Sequence, residues 1–413
     1  MKVTLITARL RMETAGGVTG TETRENDGNK LPLRRYGDQV HLPGTTVAGS
    51  LRAHCSHAPA LEALFGSPPS EDRDAPAVPS SIQVLGTCYR PAGDPIKYSR
   101  TAIDRRRGAA DTHKYHVVEQ VRPGSEFDIH LRWNDPDPEL LQAFLERLAC
   151  WHPRLGRGVT RGAGRCKLIG WGKADYDLRT PDGLLSWLSR TDIKHYPEPT
   201  NQPREYDPDY LIDLELSIVD ALLCGGETES EDGHDVKKPH QLKTDDGDRY
   251  WIPGSTLKGI LRSRAEYICR VVGTTACTEQ DCGTCRTCTL FGCSGEESPR
   301  RGRIVVEDAE VSDSGTRLRP HVSIDRFTGG ARDTALYFED VLERGQFRLR
   351  VQAIGSTDAD DKLLLEAVIA DLHEGLVGIG ARTTAGYGTV RVTSDWQPPE
   401  LTTLASRLCE SAP

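Results

Sequence analysis

The twelve-residue phrases HLPGTTVAGSLR (41–52) and WIPGSTLKGILR (251–262) lie 210 residues apart in a chain of 413. A phrase that long does not recur through biased composition, so the chain is expected to repeat a larger unit. Later phrases recur in the same order. Leu64-Phe65-Gly66 matches Leu290-Phe291-Gly292, and TAIDRRRGAA (101–110) matches VSIDRFTGGA (322–331). HVVEQVRPGSEFDIHLRW (116–133) matches LYFEDVLERGQFRLRVQA (336–353), which sets Glu119, Val121 and Phe127 against Glu339, Val341 and Phe347. RLGRGVTRGAG (154–164) matches LVGIGARTTAG (376–386), with Gly156, Gly158 and Gly164 against Gly378, Gly380 and Gly386. Five ordered matches read as a tandem duplication.

Each half carries the same periodicities. An alternating strand (KVTLITARLRM; YLIDLELSIV) leads through a polar loop to the repeated phrase, which starts a helix. In the second copy Leu257, Ile260, Leu261, Ala265 and Ile268 make one apolar face at helical spacing. Two strands, a second amphipathic helix and a last strand follow, with Asp137 and Asp360 expected as the caps of the second helices. The order β-α-β-β-α-β is the ferredoxin-like arrangement, here with long excursions, and places the chain in the α+β class. Expected boundaries are a first domain over 1–174, a proline-rich linker over 175–209, a second domain over 210–396 and a tail over 397–413.

Hydrophobic residues make up 37% and charged residues 27%, ordinary for a folded chain, and no run of eighteen apolar residues offers a membrane span. The opening MKVTLITARLRM alternates like a strand and lacks a cleavage site, so no signal peptide is expected. The net charge of -9 argues against binding nucleic acid through bulk charge. Its distribution is uneven, however: GGETESEDGHD is acidic, whereas RTAIDRRRG and RLGRGVTRGAGR are basic, and local patches set the field a ligand feels.

Five of the twelve cysteines fall within 277–293. Cys277, Cys282, Cys285 and Cys288 give C-x4-C-x2-C-x2-C, a spacing suited to tetrahedral thiolate ligation of Zn2+. A redox dithiol is the rival use of such thiols, but no thioredoxin-like context surrounds them. Cys293 stays open as a fifth thiol. The first copy lacks the insertion (273–293), so the metal is expected to be structural. Scattered reduced thiols elsewhere fit a cytoplasmic protein. The glycine-rich phrases before each last strand place backbone N–H groups without side-chain obstruction, which suits a phosphate chain. Arg157, Arg161, Gly162 and Gly164 would contribute from the first copy, and Gly380, Arg382 and Gly386 from the second. A tight helix-to-strand turn with solvated arginines would look the same.

The ordered set PG[ST][ST]hxG, LFG, IDR-x-x-G and G-x-G-x5-G, present twice, resembles the RAMP superfamily. Within it, the set looks like the backbone subunits of type III CRISPR effector complexes. Two such units in one chain look most like the fused backbone subunit of type III-D systems. The resemblance implies two RRM-like RAMP domains with thumb β-hairpins, and as partners crRNA, complementary target RNA and the other effector subunits. It puts the helix starts, with Arg52, Lys258 and Arg262, on guide RNA; Ala48 replaces Lys258 in the first copy. It makes the IDR phrases, with Arg105 and Arg326, the bases of the thumbs. Phe327 or Tyr337 would stack on a base or pack in the core, and Asp104 and Asp325 would pair with arginines to hold the loops. Cleaving members of the family keep one aspartate between the first strand and the PG[ST] helix and use Mg2+ or Mn2+. That position corresponds to Asp27, sixteen residues before Pro43, and in the second copy to Asp235, with Asp232 as second choice. Polar loops hold such acids without any chemistry as well. A non-catalytic crRNA scaffold and a precursor-crRNA processing endonuclease are the competing functions.

Overall fold

The computed structural model describes residues 1–21, 23–25, 28–67, 77–104, 109–190, 196–231, 234–244, 247–278, 281–294, 299–400 and 406–407. Two compact units emerge: Met1–Tyr98, His116–Val159 and Ala163–Asp207 form the first, and Ser99–Tyr115, Thr160–Gly162 and Pro208–Pro413 the second. None of the described helices is long and apolar enough to cross a membrane.

In the first repeat, β1 (Lys2–Met12), α1 (Gly44–Cys55), β2 (Ile82–Arg90), β3 (Ile96–Asp104) and β4 (Ala109–Gln120) come first, with Ser99–Tyr115 of β3 and β4 grouped in the second unit. They are followed by β5 (Glu126–Asn134), α2 (Pro138–Leu148) and β6 (Cys166–Asp177). The four-stranded antiparallel sheet has the order β6-β1-β5-β2. Alternation along β1 sends Ile6, Ala8, Leu10 and Met12 to one face. There they meet Val47, Leu51 and Cys55 of α1 and Leu141, Phe144, Leu145 and Leu148 of α2 in one buried cluster. The Val, Leu, Ile, Phe and Met side chains among them each contribute about 1.5–3 kcal/mol on leaving water. Asp137 caps α2 as expected, accepting from the amides of Glu139 and Leu140 at 3.0 Å each.

The stretch expected as a linker is folded onto the first unit. β6 runs on to Asp177, Thr180 caps α3 (Pro181–Leu188), and residues 196–201 form a strap across the sheet face away from the helices. Trp171 and Asn201 exchange backbone hydrogen bonds at 3.1 and 2.8 Å, and Tyr196 lies 4.3 Å from the His130 ring. A side-chain carbon at Gly170 would stand 2.4 Å from the Pro199 carbonyl oxygen, so the strap lies where glycine admits it.

The second unit repeats the plan. It contains β7 (Tyr210–Ile218), β8 (Gly225–Glu231), β9 (His234–Pro239), β10 (Gly247–Ile252), α4 (Gly254–Val271) and α5 (Arg286–Phe291). Then come β11 (Arg300–Arg301), β12 (Ile304–Val306), β13 (Ala309–Ile324), β14 (Ala331–Ala353), α6 (Ala359–His373) and β15 (Val390–Val392). Its central strands lie in the order β15-β7-β14-β12, the same arrangement as in the first unit. Leu257, Leu261, Ala265 and Ile268 of α4 and Leu364, Leu365, Val368 and Ile369 of α6 pack on it.

β13 and β14 continue as a long antiparallel hairpin whose tip exposes Phe327 by 99%. Asp325 holds that tip through the amides of Phe327 (2.9 Å) and Thr328 (3.0 Å), where arginine partners were expected. A turn this tight brings amides closer to the carboxylate than any long side chain. The cap of α6 also differs from expectation. Asp358, not Asp360, takes the Asp361 amide at 2.7 Å, and the Asp361 carboxylate reaches back to the Asp358 amide at 3.2 Å. This reciprocal box needs a carboxylate at the third helical position, which places the cap two residues before Asp360.

Candidate metal centre and nucleic-acid interface

Beyond α4 the chain turns back and brings Cys277, Cys282, Cys285 and Cys288 together, their sulfur atoms all within 4.8 Å of one another. Cys277 Sγ lies 3.7 Å from Cys285 Sγ and 3.6 Å from Cys288 Sγ. A zinc tetrathiolate with bonds of about 2.3 Å has edges of about 3.8 Å, so these separations fit a tetrahedral ion. The amides of Cys282 and Cys285 point at Cys277 Sγ (3.2 Å) and Cys282 Sγ (3.3 Å), donors that suit thiolate charge. Cys277, Cys285 and Cys288 are buried and Cys282 is exposed. Cys293 packs beside the cluster without joining the set of four. Four protein ligands leave no open position for substrate, so the donor set is that of a structural site.

Lys258, in the second turn of α4, is 7% exposed and has no hydrogen bond or ion pair among the described residues. Burial, then the positive charges of Arg161, Arg262 and Arg301, brings its pKa down from 10.5 to about 7. Asp308 takes the Gly254 amide at 2.6 Å, and α4 carries no acidic residue in its first turn. A buried ammonium crowded by cations near a helix N-terminus is a place for an anion. Sequence reasoning missed Arg301, which sits exposed on β11 opposite Gly292. The basic run SPRRGR was visible, but its pairing beside the cysteine loop was not.

The other predicted residues fall into distinct settings. Arg262 donates to Glu266 (2.9 Å), Asp281 (2.7 Å) and the Gly292 carbonyl (2.7 Å), and Arg52 donates to the Gly66 carbonyl. Both arginines therefore tie the repeated helix to the glycine of the LFG phrase. Arg382 donates to Glu339 at 2.6 Å and lies 5.0 Å over the Tyr337 ring. Glu339 also faces His321 Nε2 at 3.3 Å, and His321 stacks on Tyr337. In the first copy Glu119 is held by Arg35 and the Leu33 amide, each at 2.8 Å. The matched glutamates Glu119 and Glu339 thus keep an arginine partner in each copy, from a different place in the chain.

Several glycines are set by packing. A side-chain carbon at Gly164 would meet the Leu155 carbonyl oxygen at 2.1 Å, and at Gly380 that of Leu223 at 2.5 Å. Gly162 lies against Asp308, whereas Gly386 faces open space. Arg157 and Arg326 are exposed. Asp235 is exposed on β9, next to Val236, which pairs with Phe338 on β14. Asp27, Asp232 and Arg105 lie outside the described residues, as do the side chains of Asp104 and His234.

The RAMP superfamily model matches residues 7–167 and 215–391, one match in each half of the chain. No curated protein matches the chain. With two matched regions covering most of its length and the same strand order in both units, the chain belongs to the RAMP superfamily.

Proposed function

We propose that this chain is a crRNA-binding backbone subunit of a type III CRISPR ribonucleoprotein, built from two ferredoxin-like units in the manner of type III-D fusions. The observation that carries the RNA reading is Lys258: a buried ammonium with no acid paired to it, among Arg161, Arg262 and Arg301. A backbone phosphate supplies the missing charge. The exposed tip at Arg326 and Phe327 suits a wedge between paired bases, and Tyr337 supports the thumb base. Partners are crRNA, complementary target RNA and further effector subunits, and the tetrathiolate centre takes Zn2+ as a structural ion.

The same reading assigns target cleavage to Asp27 and Asp235, with Asp232 held in reserve. An exposed carboxylate such as Asp235 fits metal-assisted attack by the RNA 2′-hydroxyl, because phosphate oxygens complete the shell of a hard divalent cation. Mg2+ or Mn2+ would supply Lewis acidity there, while Asp235 anchors it beside the thumb. The test is the assembled complex with Asp27 and Asp235 both replaced by Ala. Lost target cleavage with retained RNA binding supports the assignment; unchanged cleavage leaves the non-catalytic scaffold.

Lys258 also sets a pH dependence. Between pH 7 and 10.5 the unfolded chain keeps a proton that the folded chain has released. Stability of the RNA-free protein therefore rises with pH across that window. RNA restores the charged form and takes up a proton, so affinity falls as pH rises above 7. Anisotropy titrations at pH 6.5 and 8.5 and constant ionic strength will show the fall in wild type and not in Lys258→Arg, whose guanidinium stays charged. In Lys258→Ala the slope of log affinity against log salt drops by about one.

A further inference from the structure

Arg262 joins the metal centre to the start of α4. Its Nε donates to Glu266, one turn on, at 2.9 Å, and Nη1 donates to the Gly292 carbonyl at 2.7 Å. Nη2 donates to Asp281 at 2.7 Å and lies 3.6 Å from Cys288 Sγ, one of the four clustered sulfurs. Asp281 sits between the first two cysteines of the set and accepts the Ser294 amide through its other oxygen at 3.2 Å. Two turns further along α4, Arg270 donates to the Cys277 carbonyl at 2.8 Å. The cysteine loop is therefore clasped at both ends to one helix. The first unit, with no cysteine loop, keeps the helix-to-LFG contact through Arg52; the second adds Asp281, Glu266 and the cysteine sulfur.

We propose that Arg262 is a positioning residue that makes the start of α4, and Lys258 one turn before it, depend on occupancy of the tetrathiolate centre. A metal-bound thiolate carries the negative charge that the guanidinium N–H groups seek, so the contact is charge-assisted when the ion is bound. Groups in the outer shell orient metal ligands, and the coupling runs both ways. Without the ion, Asp281, Gly292 and Cys288 no longer present one fixed surface, and the helix loses the clamp on its polar side. In this coupling Arg262 acts through Glu266, Asp281, the Gly292 carbonyl and Cys288. The RNA arm of this inference rests on the function proposed above; the helix arm does not.

The experiment uses the full zinc-loaded chain, its Arg262→Lys and Asp281→Asn variants, a fluorescent single-stranded RNA, and hydrogen exchange across 254–262. Stripping zinc from wild type should weaken RNA binding about tenfold, the low end of outer-shell effects, and speed exchange in that helix. Arg262→Lys keeps the charge but cannot reach all its partners at once. Loaded with zinc, it should already show weak binding and fast exchange, with little further change on stripping. Asp281→Asn, which keeps all four cysteines, should shift both readouts the same way and carries the test if Arg262→Lys misfolds. Equal effects of stripping in all three chains, or none in wild type, would overturn the coupling. If wild type binds no RNA, the functional reading fails, and exchange in 254–262 still decides the coupling.

Discussion

Cys288→Ser empties the metal centre and destabilises the second unit by about 4 kcal/mol or more, the range reserved for losing a metal or a buried network. Cys288 is fully buried on α5, and Leu290 and Phe291, two and three residues on, belong to the main core of that unit. A helix of six residues does not hold itself together in water, so α5 depends on the ion on one side and the core on the other. Because ligand atoms come together only in the folded chain, metal-binding energy is folding energy. Zinc content should fall from about one ion per chain to none, with thermal unfolding of the second unit shifted down. Metal loss with an unchanged transition would show that the core suffices alone.

Asp361→Ala costs about 3 kcal/mol, the low end for breaking a buried ion pair by removing one partner. The Asp361 side chain is fully buried and faces Arg286 at 3.0 Å and Arg303 at 3.1 Å, besides closing the capping box of α6. Arg286 keeps Asp358 at 2.9 Å, and Arg303 keeps the Ser356 carbonyl at 2.6 Å, which holds the cost at that low end. Urea unfolding of Asp361→Ala and Asp361→Asn will separate the contributions, since Asn keeps the shape and a hydrogen-bonding oxygen. A midpoint unmoved in both would remove Asp361 from the clamp between the cysteine loop and α6.

The two units share strand order and an arginine-paired glutamate, Glu119 and Glu339, yet they differ where binding is argued. Lys258 has its cationic surround in the second copy, and Ala48 stands at the matching place in the first. Arg52 and Arg262 are a matched pair of struts to the LFG carbonyl, as the hydrogen bonds at Gly66 and Gly292 show. An arginine on a polar helix face looks the same in sequence whether it meets phosphate or a carbonyl thirty residues away.

The repeat, the helical faces, the Asp137 cap and the four-cysteine set were all legible in the chain itself. Each rests on spacing between residues close in sequence, where the period of a helix or strand and the reach of a thiolate impose the pattern. Folding decided what spacing cannot carry: the strap 196–201 over the first sheet, the Arg382–Glu339 pair, Arg301 beside Lys258, and the close packing at Gly164 and Gly380. Those depend on which backbone passes within a few ångströms of another after the chain has turned back on itself. Local pattern holds no record of that distance.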